Sequence, residues 1–204
     1  MLIKEYICGY KIECETGNYY FSPKNIDKGT LMMLSKVQVT NEDKVLDLGC
    51  GYGIVGIYIA KIIGEAKVVM SDISDEAIKL TNNNLKRNSL DKVRVIKSDG
   101  LKNIVDNDFT MIISNPPYHT NFSVAKSFIE DSFKKLLVNG KLIMVTKRLD
   151  WYKNKITAIF GGVKVYEVDG YYVFVAEKRK MYVQKNKKNK NSISKKLKRK
   201  YDKK

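Results

Sequence analysis

One segment limits the fold more than any other. Asp47-Leu48-Gly49-Cys50-Gly51-Tyr52-Gly53-Ile54-Val55-Gly56 follows the apolar run 44–48 and leads into residues 53–63, where Val55, Ile59, Ile62 and Ile63 share one side at helical spacing. A strand, a glycine-rich turn and a helix in that order form the first unit of an α/β sheet. Glycine lets the backbone turn tightly and lets a ligand approach atoms that a Cβ would cover. The alternation continues through strands at 67–71, 93–97, 109–114 and 142–146. Helices are predicted at about 74–88, 124–137 and 151–160, the first with Ser74 as N-cap and the second stopping at Asn139-Gly140. Residues 163–168 and 171–176 read as a hairpin across Asp169-Gly170. The prediction is a mainly parallel sheet ending in an antiparallel pair.

Upstream, residues 5–14 and 19–21 read as two strands joined across Glu15-Thr16-Gly17-Asn18, and 27–37 as a helix. Three parts are therefore expected: a β-hairpin cap over 1–26, an α/β domain over 27–177, and a basic tail over 178–204. Charge supports the last boundary. The chain carries 38 Lys+Arg and 22 Asp+Glu, but residues 1–177 are only +3, while 178–204 hold 14 cations and the single acid Asp202. Such a run is solvated, and it attracts a polyanion through its charge alone. No apolar run approaches the ~18–20 residues that span a bilayer, and MLIKEYICGY lacks the layout of a signal peptide. Three cysteines without a C-x-x-C pair and one histidine argue against a disulfide framework or a structural zinc. The expectation is a soluble cytoplasmic protein without a resident metal.

The chemistry should sit at the carboxyl ends of the strands. Asp72 ends the second strand of the alternating series, where a carboxylate can accept from both ribose hydroxyls, and Asp99 follows the third. Gly51-x-Gly53-x-x-Gly56 with Asp72 about twenty residues on also satisfies the dinucleotide fingerprint, so a nicotinamide cofactor stays open on this motif alone. Ser114-Asn115-Pro116-Pro117-Tyr118-His119 follows the fourth strand. Each proline fixes its own φ and restricts the residue before it. A stiff loop can hold Asn115 Oδ1 and the Pro116 carbonyl as fixed acceptors for the two N–H bonds of an exocyclic amine, while the Tyr118 ring stacks on a planar base.

Asp47-x-Gly49-x-Gly51-x-Gly53 resembles the glycine loop of class I S-adenosylmethionine-dependent methyltransferases. Asn115-Pro116-Pro117-Tyr118 resembles the signature of those acting on adenine, guanine or glutamine amino groups. Tyr20-Phe21-Ser22-Pro23 through Asp27-Lys28-Gly29-Thr30, together with Ser-Asn-Pro-Pro-Tyr-His and Gly170-Tyr171-Tyr172-Val173-Phe174, resembles the small single-domain members of the 16S ribosomal RNA guanine-N2 methyltransferase C family. That resemblance implies a Rossmann-like seven-stranded sheet, S-adenosyl-L-methionine as cofactor, and ribosomal RNA or a 30S assembly intermediate as partner. It implies a cofactor lining of Asp47, Gly49, Gly51, Gly53, Asp72, Ile73, Asp99, Gly100 and Asn115. It also implies that Asn115, Pro116, Pro117 and Tyr118 hold the target amine, with Phe21, Lys28, Thr30 and His119 as weaker substrate contacts. Adenine-N6 or glutamine-N5 transfer is the alternative within the class, and a non-catalytic RNA-binding assembly factor is the alternative outside it. The oligomeric state stays open.

Overall fold

A computed structural model of the chain describes residues 1–16, 26–117 and 122–180. The predicted strand at 19–21, the residues Phe21, Tyr118 and His119, and the tail from 181 onward lie outside the described residues.

The central sheet has seven strands. In chain order they are β3 (Val45–Leu48), β4 (Val68–Asp72), β5 (Arg94–Lys97), β6 (Phe109–Ser114), β7 (Leu136–Thr146), β8 (Lys164–Val168) and β9 (Tyr171–Glu177). Across the sheet they run β5-β4-β3-β6-β7-β9-β8. β3 to β7 are parallel, and β9 enters antiparallel between β7 and β8. This is the Rossmann-like arrangement with an antiparallel C-terminal hairpin.

Helices α1 (Lys28–Leu34), α2 (Ile54–Ile63), α3 (Asp75–Arg87), α4 (Phe122–Lys135) and α5 (Leu149–Phe160) cover the sheet. Central strands are apolar on both faces, as a sheet covered on both sides requires. Successive residues alternate between two cores: Val45, Val68, Met70 and Ile113 pack with α1, α2 and α3, whereas Leu46, Val69, Ile112 and Met144 pack with α4 and α5. The chain passes from β3 to β4 on one side and later returns to β6 on the other. The cleft at this switch point lies between the carboxyl ends of β3 and β6. Ser114 Oγ donates to the Leu48 carbonyl at 2.7 Å and ties those two ends together.

The N-terminal segment corrects one expectation. Residues 5–14 are not one strand. β1 (Leu2–Ile7) and β2 (Tyr10–Glu15) pair around Cys8-Gly9. Both turn residues have positive φ, 46° and 88°, as a two-residue turn between twisted strands requires. The apolar spacing continues through the turn, which is why the alternation reads as one strand. Side-chain amides then stand in for a third strand. Asn84 Oδ1 accepts from Glu15 N at 2.7 Å while its Nδ2 donates to Glu15 O at 2.8 Å, and Asn88 makes the same exchange with Glu13. Ile3, Ile7, Ile12 and Cys14 are buried in the same core as α2 and α3.

A second difference lies at the end of α4. The helix stops at Lys135, and β7 begins at once with Leu136, well before the expected start at 142. Leu136 pairs with Phe109 ahead of a register shift. Asn139 and Gly140 exchange backbone hydrogen bonds with Lys178. These residues form a kinked strand edge where the sequence shows only a helix stop.

Candidate active site

The glycine loop is shaped by its neighbours on the sheet. The N–H groups of Gly49 and Cys50 both donate to the Ser71 carbonyl, at 2.8 and 2.9 Å. Gly49, Gly51 and Gly53 all have positive φ, and Gly53 caps α2 with its backbone alone. Asp47 lies beneath the loop, 2% exposed, and its Oδ2 accepts from Gly56 N at 2.9 Å. Thr81 of α3 donates to the Gly51 carbonyl at 2.8 Å. Cys50 is buried against that threonine, and burial pushes its thiol well above the usual range, which keeps it protonated and a poor nucleophile.

Beside the loop is a cavity of about 410 Å³. Gly49 and Gly51 form one wall, Asp72 and Ile73 the next, and Ser98, Asp99 and Gly100 the far end, while Phe128 and Val124 of α4 lie across it. Asp72 is placed by two backbone donors, Gly51 N on Oδ2 and Ser74 N on Oδ1, each at 3.0 Å. Each oxygen keeps a second lone pair. An apolar slot with a fixed carboxylate at its side suits a nucleoside: ring faces meet Ile73 and Phe128, and ribose hydroxyls meet Asp72. Asp99 is exposed and pairs with Lys102.

A smaller cavity of about 110 Å³ continues past the loop, walled by Asp27, Thr30, Asp47, Tyr52 and the glycine segment. Asn115 borders both cavities. Its Nδ2 donates to Asp27 Oδ2 at 3.0 Å and to Thr30 Oγ1 at 2.8 Å. A carboxylate can only accept, so Asp27 selects the amide face of Asn115 that turns toward α1. Asp27 is in turn fixed. It caps α1 by accepting from Thr30 N at 2.9 Å, and its Oδ1 accepts from the Tyr171 hydroxyl at 3.3 Å. The Tyr171 ring passes so close to Gly29 that a Cβ there would stand 2.6 Å from it, which requires glycine at this position. Pro116 is buried and Pro117 exposed at the mouth of the larger cavity.

The model of one family, the methyltransferase small domain, matches residues 11–175. The chain belongs to the methyltransferase small domain family. Among curated relatives of this small-domain chain, the uncharacterized protein YbxB of Bacillus subtilis is 29% identical over 164 residues, covering 78% of this chain and 82% of YbxB. The ribosomal RNA small subunit methyltransferase C of Shewanella amazonensis is 31% identical over 188 residues, covering 86% of this chain and 54% of that protein. The small-domain fold is also that of the T. thermophilus 16S rRNA N2 methyltransferase in complex with AdoMet and guanosine: TM-score 0.80 and 26% identity, covering 88% of this chain and 50% of that one. The chain spans about half the length of these ribosomal RNA methyltransferases.

The structure brings Gly49, Gly51, Asp72, Ile73, Asp99, Gly100, Asn115 and Pro117 to one cavity, and Thr30 to the adjoining one. Gly53 sits behind the loop as the helix cap, its φ of 94° marking the turn into α2. Lys28 is exposed on α1. Asp27, Tyr171 and Phe128 escaped the sequence reading as site residues. The signal for Asp27 was present in Asp27-Lys28-Gly29-Thr30, a helix start three residues before a hydroxyl.

Burial pushes the Asp47 carboxyl up to about 7, with the Asp72 charge adding to the shift and the Gly56 N–H opposing it. Because the folded carboxyl binds its proton more tightly than the unfolded one, this group's contribution to stability is full below about pH 4 and is lost as pH rises through about 7. Asp47→Asn is expected to remove a falling slope of a few kcal/mol from unfolding free energy across that window, measured by denaturant titration at a series of pH values. Parallel slopes for the two proteins would contradict it.

No helix among the described residues is long and apolar enough to cross a membrane. Among the same residues, no cluster of three or more His, Cys, Asp or Glu side chains is placed to hold a metal.

Proposed function

We propose that the chain is an S-adenosylmethionine-dependent N-methyltransferase whose substrate is an exocyclic amine of RNA, namely guanine N2 of 16S ribosomal RNA, and that it works in the cytoplasm. The observation that carries the reading is the fixed amide of Asn115 at the end of β6, bordering a nucleoside-shaped cavity on one side and the glycine loop on the other. The resemblance to a 16S rRNA N2 methyltransferase bound to AdoMet and guanosine supports it.

S-adenosylmethionine supplies, when bound, a sulfonium methyl that is electrophilic without metal or redox help. Asp72 takes the ribose hydroxyls, Ile73, Phe128 and Val124 hold the adenine ring, and Asp99 with Gly100 faces its edge. Gly49 and Gly51 let the cofactor approach the backbone of the loop, and Asp47 shapes that loop from below. Asn115 and the loop that follows it act on the amine. Its lone pair is delocalised into the guanine ring, so it is a weak nucleophile. With Nδ2 of Asn115 committed to Asp27 and Thr30, the carbonyl Oδ1 is the end presented to the amine, and the Pro116 carbonyl takes the second N–H. Both acceptors would stabilise the positive charge that grows on nitrogen as its bond to the methyl forms and the methyl–sulfur bond breaks, the electron pair leaving on sulfur as a neutral thioether. The methylated nitrogen is then acidic, and its extra proton leaves to water. In this reading Pro117 stiffens the loop, the role of Tyr118 is to stack on the base, and Phe21, Lys28, Thr30 and His119 are the weaker substrate contacts. The catalytic body over 27–177 follows the cap of 1–26, and the basic residues of the 178–204 tail, apart from Lys178, which is buried with its Nζ on the Leu136 carbonyl, add attraction to the phosphate backbone without choosing the base.

Deleting the gene and mapping ribosomal RNA modifications tests this reading. One N2-methylguanosine of 16S rRNA should disappear, and should return with the wild-type gene but not with Asn115→Ala. An unchanged map overturns the reading. Loss of a methylated adenine, or of a methylated glutamine in tryptic peptides, reassigns the amine.

A further inference from the structure

β7 is parallel to β6, so its carboxyl end reaches the same rim as Asn115. Ser114 pairs with Met144, and the chain leaves the strand after Thr146 as Lys147-Arg148. β9 runs the other way, so Tyr171 and Tyr172 start on that rim beside Thr146. Phe122 opens α4 five residues after Pro117 and returns to the same place.

Phe122 is 36% exposed, and its ring stacks on Trp151 with centroids 4.3 Å apart and planes 20° from parallel. The Arg148 guanidinium lies 4.9 Å from the Phe122 centroid, and Lys147 Nζ lies 4.7 Å from that of Tyr171. Both cations are exposed, and neither forms an ion pair with a described residue. Several other cations of the described body are paired with carboxylates: Lys44 and Arg94 share Asp106, and Lys155 takes Glu130. The difference matters because a carboxylate cancels the field and occupies N–H donors. A ring face orients the cation while leaving its charge and its donors available to a phosphate oxygen.

We propose that Lys147, Arg148, Phe122 and Trp151 form the surface that takes the unpaired RNA strand next to the target nucleotide. Lys147 and Arg148 contact successive phosphates, and the Phe122–Trp151 stack carries a neighbouring base. The proposal rests on RNA being the substrate. Unpaired RNA fits because its bases are free to stack on aromatic side chains and guanidinium planes, and because a target base must leave any helix to reach the cavity.

Fluorescence anisotropy of the full chain with a labelled, mixed-sequence single-stranded RNA dodecamer, between about 50 and 200 mM salt, tests it. Lys147→Ala/Arg148→Ala should weaken binding about tenfold and make the log–log salt slope shallower by about 1.4, two phosphates at roughly 0.7 each. Trp151→Ala should weaken binding about 5- to 100-fold at unchanged slope, with Trp151→Phe restoring most of it. Lys36→Ala/Lys164→Ala is the control of equal charge, since both lysines lie over Tyr166, whose strand β8 is at the edge of the sheet. It should stay within about twofold of wild type, as should S-adenosylmethionine binding by calorimetry in all variants. Rim variants that behave like the control overturn the strand surface. If wild type still methylates 16S rRNA in that case, the proposed function stands. If the rim variants lose RNA while wild type methylates no RNA, the proposed function falls and the surface stands.

Discussion

Asn115→Ala is expected to lower kcat for RNA methylation by about 10²- to 10³-fold while S-adenosylmethionine binding changes by less than about tenfold. The magnitude is that of removing one fixed electrostatic partner of a developing charge. Asn115 borders the nucleoside cavity over only part of its wall, with Asp72, Ile73 and Phe128 among the residues that form the rest, so affinity for the cofactor should survive. Asn115→Asp distinguishes position from chemistry. A carboxylate there would face the Asp27 carboxylate across a bond now 3.0 Å long, and like charges at that distance force protonation or displacement. It should therefore fail to rescue. Single-turnover methyl transfer with calorimetry of cofactor binding measures both quantities. A loss seen only in cofactor affinity would contradict the assignment of Asn115 to the amine.

Asp27→Ala is the second large effect. Removing this acceptor takes the carboxylate from Asn115 Nδ2 and leaves the Thr30 hydroxyl beside it, which can donate as readily as it accepts, so the selection of one amide orientation is weakened. A kcat loss of about 10- to 100-fold is expected, most of it restored by Asp27→Glu only where the longer carboxylate reaches the same nitrogen. Asp27 also caps α1 and anchors the Tyr171 hydroxyl, so a fall in unfolding free energy of about 1 kcal/mol should accompany the change. Tyr171→Phe leaves the cap and the Asn115 contact in place, and therefore separates the two roles. It should lower stability slightly and kcat by no more than about threefold. If Asp27→Ala raises the cofactor dissociation constant and leaves kcat intact, the carboxylate serves the amino-acid end of the cofactor in the smaller cavity rather than the orientation of Asn115.

Local signals explain what was legible in the sequence. Short apolar runs between amphipathic stretches identified the parallel strands, because strands buried on both faces must be apolar throughout. The same regularity placed Asp72, Asp99 and Asn115 at strand ends, and the topology then brought those ends to one rim. What escaped depends on pairings distant in the chain. Asp27 meets Asn115 across 88 positions and Tyr171 across 144, and no window of sequence shows that one carboxylate serves both. Asn84 and Asn88 read as ordinary polar positions of a helix, yet they hold the hairpin by mimicking a strand edge. At Cys8-Gly9 the apolar spacing continued through a turn that depends on backbone dihedrals rather than polarity. The rim cations were hidden for a related reason. A net charge of +3 over residues 1–177 averages paired and unpaired cations, and only the fold shows that Lys147 and Arg148 rest on aromatic rings.

The most direct measurement is methyl transfer itself. Purified protein, labelled S-adenosylmethionine and 16S rRNA from the deletion strain are incubated, and the digested nucleosides are resolved by mass spectrometry. Label is expected in N2-methylguanosine with the wild-type chain and about 10²- to 10³-fold less with Asn115→Ala. Label in another nucleoside, or equal label from the two proteins, would contradict it.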